Sequence, residues 1–163
     1  MKIEITKPEY RDLLDLLYIA EWVLIAHKTG DDPRTKPYDK LIQKFYSHAK
    51  EAGYDRLVEH DPLTRDHYTT REFEEASKAT VFIDEFVDDS FWDELIIRLA
   101  ERDAAHQAGG YEQLGLLNPA DKHALQAPIE ERYSEEFNGH GLDHVVLGHQ
   151  FGIDLTKPVK TSD

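Results

Sequence analysis

Helix-start chemistry recurs along this chain, and each start is followed by apolar residues three and four positions apart. The first instance is TKPEYRDLLDLLYIAEWVLIA, residues 6–26. Thr6 suits an N-cap, Pro8 suits the first turn, and Glu9 can close a capping box with Thr6. Leu13, Leu14, Leu17 and Leu24 then recur at helical spacing. Leu16, Ile19 and Val23 fill a second face, and Tyr18, Trp22 and Ile25 a third. A helix apolar nearly all round is predicted to sit centrally in its fold. Its end is predicted near residues 27–30, where KTGDDPRTKP brings a glycine and two prolines.

The same logic predicts the next elements. TKPYD opens a second helix with Leu41, Ile42, Phe45, Tyr46 and Ala49 on one stripe, stopped at Gly53. YDRLVEHDP reads as a short helix and HDPLTRDHYTT as a loop. Thr69 and Glu72 predict another capping box, followed by Phe73, Ala76, Ala79, Ile83 and Phe86 at helical spacing. The polar run DDS is predicted to break that helix. Ser90 and Asp93 would cap a fourth, with Trp92, Leu95, Ile96 and Leu99, running to about His106 and ending before Gly109 and Gly110. Asn118 and Pro119 read as N-cap and first helical position. Pro128 lacks an N–H, so two short helices or one kinked helix are predicted beyond it. Leu125, Ile129, Tyr133 and Phe137 would form the inner edge, and Gly139 or Gly141 the C-cap. Between the fourth helix and Asn118, GYEQLGLLNP reads as a loop whose leucines cover the core.

The period then changes. LDHVVL is β-rich, FGIDL alternates Phe151, Ile153 and Leu155, and KIEI alternates Ile3 and Ile5. The predicted fold is therefore mainly α: a single-domain bundle of five to six helices, with a short β ribbon pairing the N-terminal and C-terminal segments. Residues 1–147 would form the helical domain and residues 148–163 a C-terminal extension.

Three stretches carry a resemblance. KPEYRDLLDLLYIAEWVL, REFEEASKATVFIDEFVDDSFWDELIIRLAERD and IEERYSEEFNGHGLDHVVL together resemble an uncharacterised family of small acidic bacterial proteins. The resemblance spans roughly residues 3–147. It implies a compact, mainly helical cytoplasmic protein and brings no activity, ligand or catalytic residue with it.

Charge and cysteine usage narrow the function classes. The net charge is −14, placed unevenly: residues 61–110 hold five Lys/Arg against thirteen Asp/Glu. A nucleic-acid binder must neutralise phosphates, and this chain has no basic stripe with which to do it. Anionic membrane surfaces are disfavoured for the same reason. No signal peptide is expected, and the longest apolar run, interrupted by Glu21, falls short of the about 20 residues a span requires. With no cysteine, disulfides, thiolate nucleophiles and iron–sulfur clusters are excluded, and a cytoplasmic location is expected. Neither a phosphate loop nor a dinucleotide fingerprint is present, so no cofactor is expected.

The reactive residues that remain are histidines and carboxylates. GHGLDHVVLGHQ, residues 139–150, holds His140, His144 and His149. Four-residue spacing would align His140 and His144 on one helical face, yet the flanking glycines argue against a helix there. In a strand the two would stand about 13 Å apart, too far for one metal. Asp103 and His106 form one i, i+3 carboxylate–imidazole pair where di-iron bundles use two with glutamate, and they read as a polar helix end. The acidic clusters alternate with the apolar stripe and should face water. These patterns predict no catalytic residue and no metal. They favour a non-enzymatic protein acting through contacts with itself, as a homodimer, or with another protein. Two alternatives stand beside it: a metal-dependent enzyme using histidine and carboxylate ligands, and an acidic decoy for a basic partner.

Overall fold

The computed structural model describes residues 2–26, 28–30 and 32–146. Six α-helices and one antiparallel hairpin make up its regular structure, with a π-helical turn between the first two helices. The chain divides into two compact units, residues 1–89 and 90–163. Among the described residues no helix is long and apolar enough to cross a membrane.

The first unit is organised by α1, Lys7–Glu21. Its start is the expected capping box: Thr6 N–H donates to Glu9 Oε2 at 2.8 Å, and Glu9 N–H to Thr6 Oγ1 at 3.4 Å. Residues Trp22–Ala26 continue as a π-helical turn. Helix α2, Lys36–Tyr46, packs on α1. Tyr10, Leu14, Ile42, Tyr46, Ala49, Val58 and Phe73 form the core. Only part of α1 is buried. Leu14 is fully covered, while Leu16 is 64% exposed, and Trp22 and Val23 of the π turn that follows also face solvent. Helix α1 is thus amphipathic, not central. On α2, Leu41 is likewise exposed although Ile42 and Tyr46 are buried.

Strands β1, Val58–His60, and β2, His67–Thr69, pair antiparallel with His60 opposite His67. Their loop is closed by Asp61, whose side chain accepts from Leu63 N–H at 2.8 Å, and by Arg65 at φ 66°. Gln43 anchors β2 from α2: its Oε1 accepts from His67 N–H at 2.7 Å, and its Nε2 donates to His67 O at 3.0 Å. This hairpin replaces two expectations, a short helix over YDRLVEHDP and a ribbon between the termini. Residues 2–5 form no strand, and Ile3 is 68% exposed. Of the LDHVVL segment, residues 142–144 belong to a turn that begins at Gly141, and residues 145–146 form no strand. The FGIDL segment and the proposed extension, residues 148–163, lie outside the described residues.

Thr70, not Thr69, caps α3, Arg71–Ala76, by accepting from Phe73 N–H. Phe73 is completely buried, with the Arg11 guanidinium 4.8 Å from its ring centre and the Tyr18 ring at 5.1 Å. The chain breaks at Ser77, which is extended, and then enters α4, Lys78–Ala108. Buried Ser77 donates to Asp15 of α1 and accepts from Ala79 N–H at 3.0 Å. The expected break at DDS does not occur. Asp88 and Asp89 are solvent-facing positions within α4, where their modest helix propensity is outweighed by the helix around them.

In the second unit, Ala100, Ala104 and Ala105 of α4 pack with Leu114 and Ile129. Leu114 lies on α5, Tyr111–Leu116, a short helix where the glycines suggested a loop. Leu114 covers the core as expected, whereas Leu116 is 81% exposed. Helix α6, Pro119–His140, begins with the expected Asn118 cap, Asp121 N–H donating to Asn118 Oδ1 at 3.0 Å. It is one helix with Pro128 inside it. Its inner edge holds Ile129, Tyr133 and Phe137, with the Trp92 ring 5.6 Å from Phe137.

Candidate functional site

The end of α6 gathers three potential ligands. Glu136 and His140 are one turn apart on the same helical face. Gly141, at φ 55° and ψ −128°, ends the helix and donates its N–H to Phe137 O. The turn over residues 141–144 then folds His144 back onto that face. His144 Nδ1 stands 2.6 Å from Glu136 Oε1, and the His140 and His144 rings lie 4.5 Å apart. One ligand atom from each of Glu136, His140 and His144 falls within 4.8 Å of the others.

Of the two glycines expected to cap α6, Gly141 takes the role. Gly139 lies inside the helix, where a single glycine costs only about 1 kcal/mol relative to alanine. Gly141 supplies the positive φ that reverses the chain. His140 and His144 come together neither as a helical pair nor as a strand pair, but as helix and returning turn. Glu136 was not among the expected ligands, although its four-residue spacing from His140 was visible. His149 lies outside the described residues.

Asp103 and His106 are not members of this cluster. Asp103 is held in a closed polar ring. Arg102 Nε donates to its Oδ1 at 2.8 Å, Tyr133 Oη donates to its Oδ2 at 2.6 Å, and an Arg102 nitrogen donates to Tyr133 Oη at 3.0 Å. The Arg102 bond, then the Tyr133 bond, hold the Asp103 carboxyl below its ordinary range. Burial, then the adjacent Asp103, push the Tyr133 hydroxyl up. His106 is exposed in the last turn of α4, where the helix dipole suits a cation. Beside the ring lies a cleft of about 230 Å³ lined by Asp103, Ile129, Arg132, Tyr133 and Glu136. Glu136 thus borders both the cleft and the histidine cluster.

The first unit holds two further polar features. His60 and His67 face each other across the hairpin with ring centres 4.8 Å apart. Burial, then the neighbouring His60, lower the His67 pKa. Glu21, where α1 passes into the π turn, accepts from Tyr46 Oη, and burial raises its carboxyl pKa. Glu21 also borders a cleft of about 300 Å³ with Tyr18, Trp22, Tyr68 and Glu74.

One apolar pair on α4 lies outside the core. Phe86, which shares the helical spacing of Ala79 and Ile83, is 61% exposed, and Phe82 one turn earlier is 55% exposed. Ala79 and Ile83 take the buried face instead. Glu85 and Asp89 stand three residues beyond each phenylalanine, so acids and rings interleave along one stripe.

No family model, curated protein or solved structure matches this chain.

Proposed function

We propose that this protein is a non-enzymatic helical module that acts through protein contacts, and that it docks a basic amphipathic segment of another protein on α4. The exposed Phe82–Phe86 pair carries the reading. Two aromatic rings one turn apart are enriched anchors of interfaces, and leaving both in water forgoes several kcal/mol of burial. Glu85 and Asp89 border the rings, and Asp84 and Asp88 add to the negative field of the same segment. A partner helix with apolar residues at three- and four-residue spacing and Lys/Arg at its margins complements both features. A second copy of this chain would set the same carboxylates against each other, so the field favours the basic partner over the homodimer. The decoy alternative reduces here to the electrostatic half of this contact, and the acidic field also disfavours nucleic acid.

A labelled Lys/Leu-rich amphipathic peptide, titrated with the full chain and followed by fluorescence anisotropy, tests it. Saturable binding that falls at least about tenfold in Phe82→Ala/Phe86→Ala, and weakens in salt, is expected. Binding unchanged in the double variant overturns it. So does a concentration-dependent dimer, seen by ultracentrifugation, that the same variant abolishes.

A further inference from the structure

The chemistry of the α6 terminus points elsewhere, to a cation. We propose that Glu136, His140 and His144 form a Zn²⁺ site. Two imidazole nitrogens and one carboxylate oxygen are a recurrent three-ligand set for zinc, which leaves a fourth position for water or another donor. Imidazole and carboxylate together suit borderline metals, whereas a calcium or magnesium site would be built from oxygens alone.

Geometry favours a single ion held by all three. Their ligand atoms lie within 4.8 Å of one another. Around tetrahedral zinc, donors bound at 2.0–2.1 Å stand about 3.3 Å apart, a spacing between the 2.6 Å Glu136–His144 contact and the 4.8 Å limit of the set. The backbone is already arranged for it. Glu136 and His140 are fixed by α6, and the Gly141 turn is held by Asp143 N–H donating to His140 O at 3.1 Å and Val145 N–H to Leu142 O at 2.9 Å. All three side chains reach solvent, which gives the ion a path in. The Glu136–His144 contact holds the imidazole in place before the metal arrives, and the metal replaces it. Proximity also separates this cluster from the other histidines. Among the described residues, neither the His60–His67 pair nor His106 belongs to a group of three such donors.

The test is a zinc titration of the tag-free full chain by calorimetry or against a chromogenic chelator. One equivalent should bind saturably. His140→Ala, His144→Ala and Glu136→Ala should each weaken binding by about tenfold or more, since loss of even an outer-shell partner commonly costs that much. His106→Ala and the double variant His60→Ala/His67→Ala should bind as the parent does. All these positions reach solvent, and circular dichroism of each variant confirms that it folds. Absence of saturable binding, or binding that survives His140→Ala and His144→Ala, overturns the assignment. Zinc lost in His60→Ala/His67→Ala instead moves the site to the hairpin and equally overturns it. None of these outcomes depends on peptide binding at α4.

Discussion

The hydroxyl of Tyr46 on α2 donates a 3.1 Å hydrogen bond to Oε2 of Glu21, the last residue of α1. Tyr46 is almost wholly buried, and burial, then the neighbouring Glu21 charge, raise its pKa well above the ordinary phenol value. For Glu21, burial raises the carboxyl pKa, the Tyr46 bond opposes that rise, and Asp39 adds to it. Tyr46→Phe keeps the ring and removes the donor. The expected cost is about 1–3 kcal/mol in urea unfolding, the penalty for stranding a half-buried acceptor.

That cost should depend on pH. A carboxyl whose folded pKa is raised contributes stability fully below its unfolded value of 4.5, and loses it as pH rises through the folded pKa. Tyr46→Phe removes the bond that holds the folded value down, so Glu21 should titrate higher in the variant. The penalty should therefore widen from acid to neutral pH. Side-chain ¹³C titration of Glu21 and unfolding curves at pH 4 and 7 check this, and an equal penalty at both would refute it.

Asp103 predicts the opposite trend. Its folded pKa lies below the ordinary 3.8 because of Arg102 and then Tyr133. Such a group contributes stability above 3.8 and loses it as pH falls through the folded value. The Asp103 side chain is 31% exposed, so the ring is screened and worth about 0.2–1 kcal/mol. The stability gap between the parent and Asp103→Asn should be largest near neutral pH, narrow as pH falls below 3.8 through the folded value, and shrink in high salt. A gap that does not narrow as pH falls would count against the ring.

Neighbouring leucines of α1 offer a sharper contrast. Leu14 is fully buried in the first unit's core, while Leu16 is 64% exposed. Leu14→Ala should cost about 2–5 kcal/mol by leaving a cavity. Leu16→Ala should change stability by no more than about 0.5 kcal/mol. Chemical denaturation of the two variants side by side measures both, and similar losses would mean that Leu16 is covered in solution.

Both leucines fit the helical spacing, and spacing alone did not distinguish them. Features set within a few residues of themselves were legible: the Thr6–Glu9 box, the Asn118 cap and the Gly141 stop. Features set by distant partners were not. The break before α4 falls at Ser77 because its hydroxyl bonds to Asp15, 62 residues earlier, and nothing in SKATV marks that contact. The hairpin escaped because each strand is three residues long and β2 is held by Gln43 of α2. At the α6 terminus the histidine spacing was visible, but the glycines on either side of His140 left open whether the helix stops at Gly139 or at Gly141. That obscured the turn that brings His144 to Glu136.

Those two glycines should respond oppositely to alanine. Gly141 sits at φ 55° and ψ −128°, a combination open to glycine and strained for any residue with a Cβ. Gly141→Ala should cost about 1–3 kcal/mol and draw His144 away from Glu136, weakening zinc binding along with the 2.6 Å contact. Gly139 lies within α6, and a Cβ added there meets no atom within 4 Å. Gly139→Ala should therefore stabilise the helix by about 0.5–1 kcal/mol and leave the histidine cluster in place. Thermal unfolding separates the two signs, and nuclear Overhauser contacts between the His140 and His144 rings report the geometry. If Gly141→Ala preserved those contacts at no cost in stability, the turn would not depend on glycine, and His144 would have to be held by its own interactions with α6.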